Sequence, residues 1–206
     1  MIISTQFIVL DKRPYRESAL LCSGLGPDCG KASFVMHGGQ KLSDKNFPAA
    51  DLFRELELEY EDKGGNQELF TAKNVEIIAA FDGVAENPRH FKLAGMISSF
   101  ILKNSAPSLP QPYTYDSLRS VLCNLAGVEC GHEPWAMEQC SVVIKTAFLY
   151  ENGMLPEPQN EEQSEFLENL VASGIDNSPL PECADNYWRA LNNWLNSLIE
   201  YHHLKR

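Results

Sequence analysis

Missing from this sequence of 206 residues is any apolar run near the roughly 18 residues that a membrane span needs. The opening MIISTQFIVLDKRP has too short an apolar part, and no leading basic region, to read as a signal peptide. It is expected to be a strand of a folded, cytoplasmic body. No CxxC pair occurs, and Cys22, Cys29, Cys123, Cys130, Cys140 and Cys183 match no zinc-finger spacing. Reduced thiols acting as small hydrophobes are the expected use of all six. GxSxG, Walker A, HExxH and dinucleotide fingerprints are likewise missing, so no catalytic residue and no cofactor is expected. GLGPDCGK at 24–31 looks superficially like a phosphate loop, but the Gly-x4-Gly-Lys-Ser/Thr spacing is not there, and a turn between strands is expected.

Basic residues are also missing where acids are dense. Residues 151–185 hold nine Asp or Glu and no Lys or Arg. The formal net charge is −11, which argues against bulk polyanion binding. The first 47 residues differ: Lys12, Arg13, Arg16, Lys31, Lys41 and Lys45 face only Asp11, Glu17, Asp28 and Asp44. Six cations against four acids give +2 there, which leaves −13 for the rest.

What is present divides into two periods. Thr5 to Leu10 puts Phe7 and Val9 on one face, and AlaLeuLeuCys at 19–22 ends at turn residues. KASFVMHGG at 31–39 gives a third strand. Leu56, Leu58 and Tyr60 alternate with Glu55, Glu57, Glu59 and Glu61, the period of a strand with one buried face. Lys63-Gly64-Gly65-Asn66 is a hairpin turn, with ELFTAKNVEII returning. Five short strands in so little chain predict a small closed barrel, which leaves no exposed edge. Helical periodicity then takes over at His90–Asn104, 114–126, Pro134–Asn152 with Gly153 as its C′ residue, Glu161–Ser173 ahead of Gly174, and 184–204. Ser105 to Tyr113, with three prolines, reads as a linker or extended crossing. The fold class expected is α+β, an N-terminal β-barrel domain over 1–82 followed by an all-α helical bundle over 83–206.

Candidate functional residues gather at the positive end. Lys12, Arg13, Tyr15 and Arg16 are expected in the turn after the first strand, stiffened by Pro14. Lys31 begins the third strand, and His37, Lys41 and Lys45 follow its end. On a five-stranded barrel such loops border a groove for single-stranded nucleic acid, cations tracking phosphates and aromatics stacking bases. A merely solvated rim is the competing reading. Cys123, Cys130, Cys140 and His132 could be drawn as a zinc set, but the first and third cysteines belong to apolar helical stripes, so no metal is expected. Trp135, Trp188 and Trp194 are expected in the bundle core, and His132 and Glu133 simply precede a helix start.

TQFIVLDKRPYRESALL, GKASFVMHGGQKLSDKNF and LELEYEDKGGNQELFTAKNVEII, taken in order, resemble the N-terminal domain of the RecO family. Tyr15, Glu17 and Ser18 match that family's aromatic and Glu-Ser turn, and His37, Gly38, Gly39, Gln40, Lys41 and Ser43 fill the slot of its basic loop. LRSVLCNLAG, VVIKTAFLYENGMLPE and YWRALNNWLNSLIEYHHLK are similar in order to the family's helical segments, more faintly. The resemblance implies an OB-fold barrel with a helical domain and the work of a recombination mediator. Such proteins bind and anneal single-stranded DNA, engage the tail of single-stranded DNA-binding protein and the partner RecR, and help load RecA. Two departures stand out. The basic loop is diluted by His37, Gly39, Gln40 and Asp44, and the four-cysteine zinc module that many members carry has no counterpart between Cys140 and Cys183.

Overall fold

The computed structural model describes residues 1–37, 49–61 and 69–205. Strands β1 (Ile2–Tyr15), β2 (Ala19–Gly26), β3 (Gly30–Met36), β4 (Arg54–Glu61) and β5 (Leu69–Ala80) close into a barrel in the order β1-β2-β3-β5-β4. All contacts are antiparallel except β3 with β5, which runs parallel. This is the OB-fold arrangement. The expected hairpin turn at 63–66 lies outside the described residues.

The period-two reading of β4 holds from Leu56 to Glu61. Leu56, Leu58 and Tyr60 are buried in the barrel with Phe7, Val9, Cys22 and Phe34, while Glu57, Glu59 and Glu61 face out. Glu55 departs from that alternation and is buried. Four rings form the centre: Phe34 stands edge-on to Phe7 at 4.9 Å and to Tyr60 at 5.2 Å, and Phe70 closes on Tyr60 at 4.8 Å. Such contacts add about 1 kcal/mol per pair beyond area burial.

One expectation is corrected. Residues 11–15 are not a turn: β1 continues to Tyr15, pairing with β2 through Tyr15 opposite Ala19. Pro14 is tolerated because β1 pairs with β4 only as far as Ile8, so beyond that point one edge of the strand needs no donor. The turn is confined to 16–18, where Arg16 takes φ +54°.

The glycines of 24–30 have a packing explanation. A Cβ on Gly24 would lie 1.9 Å from the Ile8 carbonyl oxygen, so only glycine lets β1 and β2 approach there. Gly30 combines φ +61° with the Leu109 carbonyl 2.2 Å from where a Cβ would sit. The crossing segment lies over this hairpin: Ser108 N donates to Cys29 O (3.0 Å), Gln111 N to Pro27 O (2.9 Å) and Lys31 N to Ala106 O (3.3 Å). The stretch therefore serves backbone packing.

The chain divides into two compact units, Met1–Asp82 with Ser105–Pro112, and Gly83–Asn104 with Tyr113–Arg206. Within the second, α1 (Pro88–Asn104), α2 (Pro112–Ala126), α3 (Met137–Glu151), α4 (Glu161–Asp176) and α5 (Asp185–Tyr201) form the bundle. α3 is its central helix, burying Cys140, Val143, Ile144, Ala147 and Phe148. Trp135 and Trp188 are buried as expected, whereas Trp194 is half-buried. Phe91, near the start of α1, is 43% exposed. Gly174 does not end α4, which runs on to a left-handed Asn177. It sits where a Cβ would meet Ser117 Oγ at 2.6 Å and Val143 Cγ1 at 2.9 Å. Gly153 does take the left-handed conformation after α3.

Candidate nucleic-acid interface

The far ends of β1, the start of β2 and the end of β3 meet at one end of the barrel, as the pairs Pro14–Leu20 and Leu20–Met36 require. Arg13 and Tyr15 share the outer face there, opposite Leu21 and Ala19. Arg16 folds back from the turn so that its guanidinium lies 5.3 Å from the centre of the Tyr15 ring. A cation over that face contributes about 0.5–1 kcal/mol at an exposed site and holds the ring against its strand. His37 is exposed directly after β3. Arg13 makes no ion pair with any described residue. Beside these groups Tyr15 packs on a small apolar patch of Ala19, Leu21 and Val35. The arrangement offers three positive or protonatable side chains and one aromatic ring on a common rim.

The other expected residues do not all converge. Side chains alternate along a strand, so Lys12 faces away from Arg13, on the side of Cys22. Its ammonium is paired with the Asp51 carboxylate. Burial pushes the Asp51 carboxyl up, but the Lys12 hydrogen bond, the Leu52 amide and the positive charges of Lys12 and Arg54 outweigh it, holding the group below the ordinary carboxylate value. Lys31 lies at the opposite end of β3, four residues before Val35 and so about 13 Å along the strand. Its backbone N–H also anchors the crossing segment. Lys41 and Lys45 lie outside the described residues. Asp51 is the residue that sequence reasoning missed. It comes 39 positions after its partner, and no local pattern signals the contact.

The outer face of β4 has the opposite sign. Glu57, Glu59 and Glu61 point outward from β4, with Glu76 directly across from Glu57 on β5. Lys73 neutralises part of this at Glu61 (3.0 Å). Ser4 donates to Glu57 (3.0 Å), keeping that carboxylate fixed. The outer face of β4 is therefore acidic, whereas the rim of β1, β2 and β3 carries Arg13 and Arg16.

No group of three His, Cys, Asp or Glu is placed to hold a metal ion among the described residues. Both ring nitrogens of His132 face backbone carbonyls, of Glu133 (2.8 Å) and Asn177 (3.0 Å), and its ring stacks on Trp135. All six cysteines are free, and burial pushes the thiols of Cys22 and Cys140 up to about 12, which leaves them unreactive at neutral pH. No helix among the described residues is long and apolar enough to cross a membrane.

Comparison with known proteins agrees with the topology. Residues 1–81 match the family model described as the N-terminal domain of recombination protein O. No curated protein matches the chain. The matched range covers all five strands and stops one residue past the end of β5. The barrel is thus similar to the RecO N-terminal domain, and that match over 1–81 supports a relationship of the chain to the RecO family.

Proposed function

We propose that this protein is a RecO-like recombination mediator in DNA repair, which binds and anneals single-stranded DNA through its barrel. It works without catalysis, metal or cofactor, in the cytoplasm. The observation that carries the reading is the coincidence of a RecO-type OB barrel with Arg13, Arg16 and His37 beside Tyr15 on one rim. Cations on that rim take phosphates, and the Tyr15 edge takes a base. The diluted loop at 37–45 and the Lys12–Asp51 pair reduce the charge on offer, so affinity is expected to be modest. The helical domain supplies contacts to single-stranded DNA-binding protein and a RecR-like partner.

Fluorescence anisotropy of a labelled oligothymidylate against salt tests this. With about four or five phosphates neutralised, the logarithmic slope is about −3. No binding at about 50 mM salt, or a flat response, overturns the DNA-binding role.

A second reading has its own support. The outward carboxylates of β4 and the pairing of Lys12 favour a scaffold that acts chiefly through protein contacts. On that reading, single-stranded DNA-binding protein and a RecR-like protein are recovered with the chain after nuclease treatment, and Lys41→Glu with Lys45→Glu leaves function intact.

A further inference from the structure

The helical unit has a groove that the packing of the bundle leaves open. It encloses about 360 Å³ between α4, α5 and the segment 156–159, at the small end of ligand-sized cavities. Phe166, Leu167, Leu191 and Trp194 give it an apolar, largely aromatic floor, with Tyr187 and Pro156 at its sides. The helical period explains the lining: Gln163, Phe166 and Leu167 share one face of α4, and Tyr187, Ala190, Leu191 and Trp194 share one face of α5. Ala190 is the small residue that keeps the space open between larger neighbours. The rings are already positioned, Phe166 standing edge-on to Tyr187 at 5.4 Å and tilted against Trp188 at 6.3 Å.

The surroundings carry one sign. Glu157 lines the groove, and Glu162 flanks Phe166 one turn earlier on α4. Across 151–185 no Lys or Arg offsets the nine acids. Arg189 follows Tyr187 by two positions, about 200° around α5, and so projects from the other side of the helix. An aromatic floor under an acidic rim repels nucleic acid and acidic peptides and attracts cations.

We infer that this groove binds a basic peptide segment of a partner protein. An apolar side chain of that segment sits over Phe166, Leu191 and Trp194, and its lysine or arginine side chains lie against the Tyr187 or Trp194 ring and pair with Glu157 and Glu162. Cation–π contact and charge pairing then act together at a site too small to take more than a few side chains.

The test uses the full chain and a fluorescein-labelled peptide of roughly 12 residues, lysine and leucine with one central tryptophan, at about 50 mM salt. Control peptides replace lysine by glutamate, or leucine and tryptophan by serine. Only the first peptide is expected to bind, with micromolar affinity. Glu157→Lys with Glu162→Lys should weaken it by about tenfold, whereas Glu165→Lys with Glu168→Lys, equal in charge but on the far side of α4, should weaken it less than about threefold. Ala190→Leu, which fills the groove, should abolish binding while circular dichroism and the melting temperature confirm an intact fold. Equal losses from the two charge reversals overturn the inference, as does binding of the glutamate peptide or indifference to Ala190→Leu. Sedimentation that shows self-association removed by Glu157→Lys with Glu162→Lys would make a second copy the occupant, and overturns it too.

Discussion

At the scale of single residues, Lys12 is withheld from the barrel rim, because it faces away from Arg13 and its ammonium is paired with Asp51. Its partner Asp51 has a carboxyl held below the ordinary value, so the pair contributes stability above about pH 4 and loses it as pH falls through the folded-state value. Asp51→Asn should therefore be less stable than the parent at pH 6 by under about 1 kcal/mol, because both side chains are partly exposed, with the difference shrinking as the carboxyl protonates in acid. Urea unfolding over a pH series from 6 downward measures it. The same change releases Lys12 and should tighten single-stranded DNA binding by about two- to threefold at low salt, a small gain because Lys12 faces away from Arg13. The thiols give an independent check. Cys22 and Cys140, pushed up to about 12 by burial, should resist a disulfide reagent at pH 8 until denaturant is added. The sequence displays the cations but not their partners. Charge excess over 1–47 is local information, whereas the Lys12–Asp51 contact depends on how β1 and the stretch before β4 are brought together.

At the scale of elements, period-two and helical patterns locate the strands and helices, and the misses fall where a special backbone demand overrides composition. Pro14 and the charged run around it read as a turn, yet β1 pairs through them because its second edge is unpaired there. Gly174 reads as a helix end, but it is a contact point for α2 and α3 inside α4. Both are tertiary facts, invisible to a local rule. Gly24→Ala should cost at least about 2 kcal/mol, since the added carbon meets backbone and not a movable side chain. Thermal denaturation measures that loss. The start of helix α2 is capped from another helix. The Glu151 carboxylate, from the end of α3, accepts from Tyr113 N (2.9 Å), Thr114 N (3.0 Å) and Thr114 Oγ1 (2.6 Å). An anion on those orphan amides also interacts favourably with the positive end of the helix dipole, so Glu151→Ala should destabilise the protein by about 1–2 kcal/mol, seen as a lower urea midpoint.

At the scale of the molecule, the polarity of charge along the chain is legible in the order of residues alone, and the RecO resemblance is carried by residues 5–78, inside the range the family model matches. The site is legible only in part. Arg13, Tyr15, Arg16 and His37 meet on one rim, Lys12 turns away, and Lys31 lies about 13 Å along β3. A list of cations in sequence order cannot distinguish these cases, because strand alternation and register sort them. The barrel therefore has a narrow positive rim and an acidic flank on β4, and the mediator role rests on the rim being the surface that DNA contacts. Hydrogen exchange of the full chain, with and without an oligothymidylate at low salt, measures this most directly. Slowed exchange in peptides covering residues 12–20, with none over 55–61, is the predicted result. Protection confined to β4 or to the helices, or none anywhere at saturating oligonucleotide, would contradict it.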